Sequence, residues 1–232
     1  MSDILKAGIG IGVILAAIIT LGFFKPAHAD ELFTKEALSP VYKIISGQRT
    51  CSATSVKVKG IPDEVNTFLT AKHCIDPANP RGKLIVETVT ESSESTQYYD
   101  FTVALVSKGS DLAGITVTDT NLHTNKAIIA DALKAQEGDE VLSIGYPFGA
   151  SRVVSEGFLG QKERIMHPNG ELKLMQRAST LVDSGMSGGP LYQKTATGYE
   201  IIGVASTKSQ GNNFMNHFVT LADIKAFIEK GE

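Results

Sequence analysis

From Asp30 onward, Gly, Pro, Asn and Ser interrupt short runs rich in Val, Ile, Thr and Phe every ten or so residues. That punctuation leaves little room for long helices and points to an all-β barrel or sandwich. The spacing predicts strands at 41–45, 52–58, 67–70, 83–90, 100–106, 141–146, 152–160, 172–177, 190–193, 200–206 and 216–220. The polar stretch 91–97 reads as a solvated hairpin loop. A connecting region at 120–138, with the apolar run AIIADAL, joins two halves of about a hundred residues each and has room for one helical turn. Only the end is periodic at helical spacing: Leu221, Ile224, Phe227 and Ile228 share a face, with Thr220 and Asp223 as a cap and Gly231 as a stop. The expected architecture is two six-stranded antiparallel β-barrels, at about 38–119 and 139–220, with an active site in the cleft between them and a C-terminal α-helix at 221–230. A single sandwich with the same strand count is the alternative.

The first thirty residues have a different character. Lys6 is followed by an uncharged apolar run from Ala7 to Phe24, then Lys25, Pro26 and the small-residue pattern Ala27-x-Ala29. This reads as a signal peptide, residues 1–29, cleaved after Ala29. The alternative is an N-terminal membrane anchor, which would bring the chain to a membrane only if the segment is not removed. Gly8, Gly10 and Gly12 lie inside this segment with no strand before them, so they make no phosphate loop. Export, to the exterior or the periplasm, gives the two cysteines a reading: Cys51 and Cys74 can close a single disulfide, with buried free thiols as the alternative. Two cysteines without a second pair or a His-x3-5-His run make no tetrahedral zinc set, and neither metal nor cofactor is expected. A net charge of −3 provides no footprint for nucleic acid.

The stretch DSGMSGGPLY, residues 183–192, surrounds Ser187 with glycines and a proline. Such a stretch is equally the material of a tight turn. A nucleophilic serine also needs a base and a carboxylate that orients the base. Of five histidines, His73 in FLTAKHC stands at the end of a short apolar strand beside a cysteine. His123, His167 and His217 have polar or loop surroundings, and His28 is in the export segment. Asp111 in SDLAGITV precedes an apolar alternation suited to burial, whereas Asp100, Asp119 and Asp139 sit in turn-like contexts.

TAKHC, DLAGI and SGMSGGPL, in that order after the cysteine-bearing CSATSV, resemble the trypsin/chymotrypsin-like serine proteases. GYPFGASRVVSEGFLG resembles the second barrel of the bacterial high-temperature-requirement proteases, without the PDZ domain that often follows there. The resemblance implies a serine endopeptidase acting on proteins or peptides through an acyl-enzyme. It implies Ser187 as nucleophile, His73 as general base and acid, Asp111 as the orienting carboxylate, and the N–H groups of Gly185 and Ser187 as oxyanion hole. Leu181 falls at the base of the primary specificity pocket and Ala205, Ser206 and Thr207 at its wall, implying a small or apolar residue before the scissile bond. Lys208 and His217 are expected at the surface, the alternative being a place near the pocket that favours an acidic residue.

One departure concerns activation. Zymogen members carry an Asp before the nucleophile, and here Met186 stands there, so the chain is expected to be active without activation cleavage despite the Lys43-Ile44 sequence. Two rivals use the same residues differently. Gly185-x-Ser187-x-Gly189 also fits the nucleophile elbow of α/β-hydrolases, but the required order of Asp and His after the serine is missing. A non-catalytic binding module on the protease fold is the other alternative.

Overall fold

The computed structural model describes residues 36–62, 64–89, 93–166, 170–208 and 215–230. The expected signal segment, His28 and His167 lie outside them. Six strands form the first barrel: β1 (Val41–Ser46), β2 (Arg49–Ser55), β3 (Asn66–Thr70), β4 (Arg81–Val89), β5 (Glu94–Val106) and β6 (Ala113–Val117). Their order is β1-β2-β3-β6-β5-β4, closed by antiparallel pairing of β4 with β1. β1 and β2 meet through a two-residue turn between Ser46 and Arg49, where Gly47 takes φ +57°. Inward residues Ile44, Phe68, Leu84, Phe101 and Ile115 fill the barrel with almost no exposure. Each such side chain contributes about 1.5–3 kcal/mol on burial.

The second sheet comprises β7 (Ile128–Ile129), β8 (Glu140–Gly145), β9 (Val153–Met166), β10 (Leu172–Ala178), β11 (Pro190–Thr195), β12 (Gly198–Lys208) and β13 (Asn216–Thr220). Its order is β11-β8-β9-β10-β13-β12-β7, and an additional β11–β12 pairing closes six of these strands into a ring. Leu159, Ala178, Leu191, Ile202, Ala205 and Phe218 form its core. A third cluster lies between the barrels, where Val41, Leu69 and Leu112 meet Ile144, Tyr146, Tyr192, Val204 and Phe227. The helix α1 (Leu221–Lys230) buries Leu221, Ile224 and Phe227, and Thr220 caps it reciprocally with Asp223.

The structure departs from the sequence reading in three places. Ala113–Val117 is a full strand, although Ala and Gly at its start are poor strand formers; Ala113, Ile115 and Val117 are wholly buried. β5 begins at Glu94, inside the expected loop, because residues 94–97 pair with β4 in an arm whose 94–97 side chains are exposed, which suppresses apolar alternation. Residues 120–138 form no helical turn; Ile128 and Ile129 pair in parallel with β12 instead.

Candidate active site

His73 lies in a single 3-10 turn, Lys72–Cys74, immediately after β3. The disulfide Cys51–Cys74 ties this turn to β2. A ring nitrogen of His73 lies within 4.8 Å of both sulfurs. Those sulfurs are bonded to each other, so the group offers no thiolate for a metal.

Asp111 faces the turn from the start of the β6 segment and is 7% exposed. It accepts the His73 backbone N–H at 2.9 Å on one oxygen. The other oxygen is 2.7 Å from His73 Nδ1 and accepts the Ser206 hydroxyl at 2.6 Å. Burial alone would push this carboxyl up. The His73 hydrogen bonds and charge, with the Ser206 hydrogen bond, outweigh burial and hold it below its ordinary value. An ionised carboxylate only accepts, so Nδ1 carries the proton that faces it, and in the neutral ring Nε2 is the nitrogen with the lone pair.

Ser187 is 9% exposed, in a loop fixed from several sides. Its carbonyl accepts Ser52 N–H at 2.8 Å, and Gly188 N–H donates to Ala205 O at 2.8 Å. The Ser187 hydroxyl donates to Ser206 O at 3.4 Å, and no hydrogen bond joins it to the imidazole. Ser206 therefore touches both partners, the carboxylate with its hydroxyl and the serine with its carbonyl. Gly185 takes φ +92°, where a Cβ would come within 2.3 Å of Tyr146 O. The buried Ser52 hydroxyl accepts from Tyr146 N–H at 3.0 Å and donates to Gly185 O at 2.8 Å. Met186 N–H is consumed by Asp183 O. The N–H groups of Gly185 and Ser187 have no acceptor among the described residues.

The expected pocket residues divide. Leu181 is 37% exposed and held by backbone bonds to Ser155 and Ser143, while its neighbour Thr180 is fully buried, its carbonyl accepting Asn216 Nδ2 at 2.6 Å. Ala205 sits in the second barrel's core, and Ser206 directs its hydroxyl to Asp111. Thr207 lines a cavity of about 960 Å³ with His73, Val106, Leu172, Leu174 and Met175. Lys72, Lys108 and Lys173 stand at the same cavity. Lys208 is half-exposed, paired with Asp183 at 2.7 Å; that hydrogen bond, ahead of one from Ser184 N–H, holds the Asp183 carboxyl low. His217 is not at the surface: it is 5% exposed, its Nε2 2.6 Å from Glu163. On β13 it stands opposite Arg177 of β10, whose guanidinium pairs with the same Glu163.

The roles of Ser206 and Ser52 at this loop had no local signal, since an isolated serine in a strand has no pattern. No helix of the described residues is long and apolar enough to cross a membrane.

Residues 51–204 match the trypsin-like peptidase domain family. Among curated proteins, the chain is 34% identical over 104 residues to a probable periplasmic serine endoprotease DegP-like from Pseudomonas putida, covering 44% of this chain and 20% of that protein. It is 30% identical over 132 residues to the magnetosome formation protease MamE of Paramagnetospirillum magneticum, covering 56% of this chain and 17% of MamE. The chain thus spans about a fifth of these relatives' length. Two solved structures share the fold. The active form of the Rv3671c protease from M. tuberculosis matches with TM-score 0.66 at 17% identity, over 87% of this chain and 84% of that one. The serine endoprotease from Yersinia pestis matches with TM-score 0.63 at 18% identity, over 87% and 65%.

Proposed function

Because the chain belongs to the trypsin-like peptidase family, we propose that it is a serine endopeptidase with Ser187 as nucleophile, His73 as general base and Asp111 as the carboxylate that orients it. The observation that carries this reading is the doubly held Asp111: backbone and ring of His73 on one side, Ser206 on the other, with the Ser206 carbonyl in contact with Ser187. Rotation of the Ser187 hydroxyl from Ser206 O toward His73 Nε2 passes its proton to the base as Oγ attacks the substrate carbonyl. The tetrahedral oxyanion is received by the free N–H groups of Gly185 and Ser187, each worth about 3 kcal/mol in the transition state. His73 then protonates the leaving amine, and water hydrolyses the acyl-enzyme by the same route in reverse.

The substrate is a protein or peptide whose segment before the scissile bond runs into the cavity beside His73. A small or apolar residue precedes the cleaved bond, with Leu181 in place of an acid at the base of its pocket. No activation cleavage is needed: Lys43 lies within β1 at 8% exposure, out of a protease's reach. The protein acts outside the cytoplasm, in the periplasm or beyond, in keeping with its DegP-like relatives and its disulfide.

A binding module without catalysis is the second reading, favoured by the Ser187 hydroxyl resting on Ser206 O instead of on the imidazole. Intact-mass spectrometry after treatment with a fluorophosphonate decides between them. One adduct on the wild-type protein, absent from Ser187→Ala and His73→Ala, is expected; an unlabelled wild type supports the binding module.

A further inference from the structure

We propose that Lys43, a buried lysine of the first barrel, is a positioning residue for the oxyanion donors of the second. The inference rests on the serine-protease reading above and adds to it what holds the Gly185 N–H in its outward orientation.

Lys43 sits in the middle of β1. Its ammonium binds the Glu87 carboxylate of β4, donates to Gly149 O at 2.8 Å, and lies 5.5 Å from the centroid of the Tyr146 ring. A cation this enclosed is stable only with its partners in place, so it constrains what it touches.

What it touches is the turn after β8. Gly149 N–H returns to Tyr146 O at 3.0 Å, and Ala150 N–H to Pro147 O at 3.0 Å. At the centre of this turn Phe148 takes φ +56°, alone among the described non-glycine residues in having a positive φ. That conformation is disfavoured for a bulky side chain. The Phe148 ring is 74% exposed, so packing offsets little of the cost. What the conformation supplies is a donor: Phe148 N–H meets Ser184 O at 2.5 Å.

The next step is dictated by peptide geometry. In a planar trans peptide the C=O and N–H point in opposite directions. With Ser184 O held by Phe148, the N–H of Gly185 faces the other way, and it has no acceptor among the described residues. Glycine at 185 can adopt either orientation of that peptide, so the orientation depends on what holds the carbonyl. The sequence of contacts is therefore Glu87, Lys43, Gly149, Phe148, Ser184 and Gly185. Loss of the ammonium releases Gly149 O and lets Phe148 relax to negative φ. Ser184 O is then free to swing toward the position the oxyanion would occupy.

The test compares the full chain with Lys43→Met and Lys43→Arg, using a peptide p-nitroanilide for kcat and KM and a peptide boronic acid that forms a tetrahedral serine adduct. Lys43→Met should lower kcat about 10- to 100-fold, short of the complete loss of an oxyanion donor. KM should move less than about threefold, because the affected contact is made in the transition state. Affinity for the boronate should fall by the same factor as kcat, and Lys43→Arg should recover most of both. A folded Lys43→Met with unchanged kcat, or with kcat lowered and boronate affinity kept, overturns the proposal. If Lys43→Met does not fold, Phe148→Pro at this exposed position deletes the donor and, because proline cannot take a positive φ, imposes the relaxed turn directly. The same paired loss is expected there, and its absence overturns the proposal equally. A wild type inert to both boronate and fluorophosphonate overturns the protease reading and this inference with it, whereas an active wild type with an unaffected variant overturns this inference alone.

Discussion

Ser206 Oγ lies 2.6 Å from the Asp111 carboxylate, across 95 residues of sequence and from one barrel to the other. With His73 it holds the carboxyl below its ordinary value against the opposing effect of burial.

A carboxyl whose folded value lies below its unfolded value of 3.8 stabilises the protein above that pH, and the contribution is lost as pH falls through the folded value. Ser206→Ala should therefore bring the acid unfolding limb to higher pH, and cost about 1–3 kcal/mol of stability at neutrality as a buried hydrogen-bond partner is lost. Melting curves between neutral pH and strong acid, for wild type and variant, provide the check. Superimposed acid limbs would show that Ser206 does not support the carboxylate.

Gly185→Ala places a methyl group 2.3 Å from Tyr146 O at a backbone φ of +92°. The loop must shift, and with it the donor. We expect kcat to fall at least about a hundredfold, in line with loss of one oxyanion contact. Steady-state kinetics at saturating peptide measure this, and near-wild-type turnover would remove Gly185 from the oxyanion hole.

Cys51–Cys74 closes a loop with a sequence separation of 23. In the chain-entropy description such a bridge contributes about 3 kcal/mol. For a chain of this size that corresponds to a melting shift of about 6–12 °C. Calorimetry with and without reductant should show it, together with a lower kcat on reduction, since the bridge anchors the turn that carries His73. An unchanged melting temperature with the bridge demonstrably open would count against both.

Burial, reinforced by the nearby Tyr146, pushes the Tyr42 phenol up to about 12. Burial also raises Tyr146 and Tyr192. A group raised in the folded state stabilises below its unfolded value, about 10 for tyrosine, and that stability is lost as pH climbs through the folded value. The protein should therefore lose stability between about pH 10 and 12, with phenolate absorbance rising alongside loss of β-sheet circular dichroism. Tyr42→Phe should move this alkaline transition upward; an unmoved midpoint would exclude Tyr42 as a contributor.

Strands were legible where β-branched and aromatic residues cluster between turn residues, as in β1 and β3, which are buried at nearly every position. The outer arm of β5 was not, its residues 94–97 being polar and exposed, and the alternation after Asp111 was visible while Ala113-Gly114 masked the start of β6. At the site, His73, Asp111 and Ser187 stood out through their neighbours, a cysteine, an apolar alternation and a glycine cluster. Ser52, Ser206 and Phe148 had no such context. Their contacts arise from strand register and from a backbone angle, and neither is written in local composition. His217 looked like a surface residue because its partners, Glu163 and Arg177, come from β9 and β10, and only the folded sheet brings the three together.

His73 and Asp111 both belong to the first barrel, while Ser187, Gly185 and Ser206 all belong to the second. A chain emerging from its N-terminus presents the proposed base and its carboxylate long before the proposed nucleophile has been synthesised. The last-made part must then dock, through Ser52 and Ser206, before the halves can act on a peptide. On the protease reading, a fragment ending after the first barrel would hold His73 and Asp111 without the Ser206 hydroxyl that the carboxylate accepts and without a serine to activate, so hydrolytic competence would need both barrels.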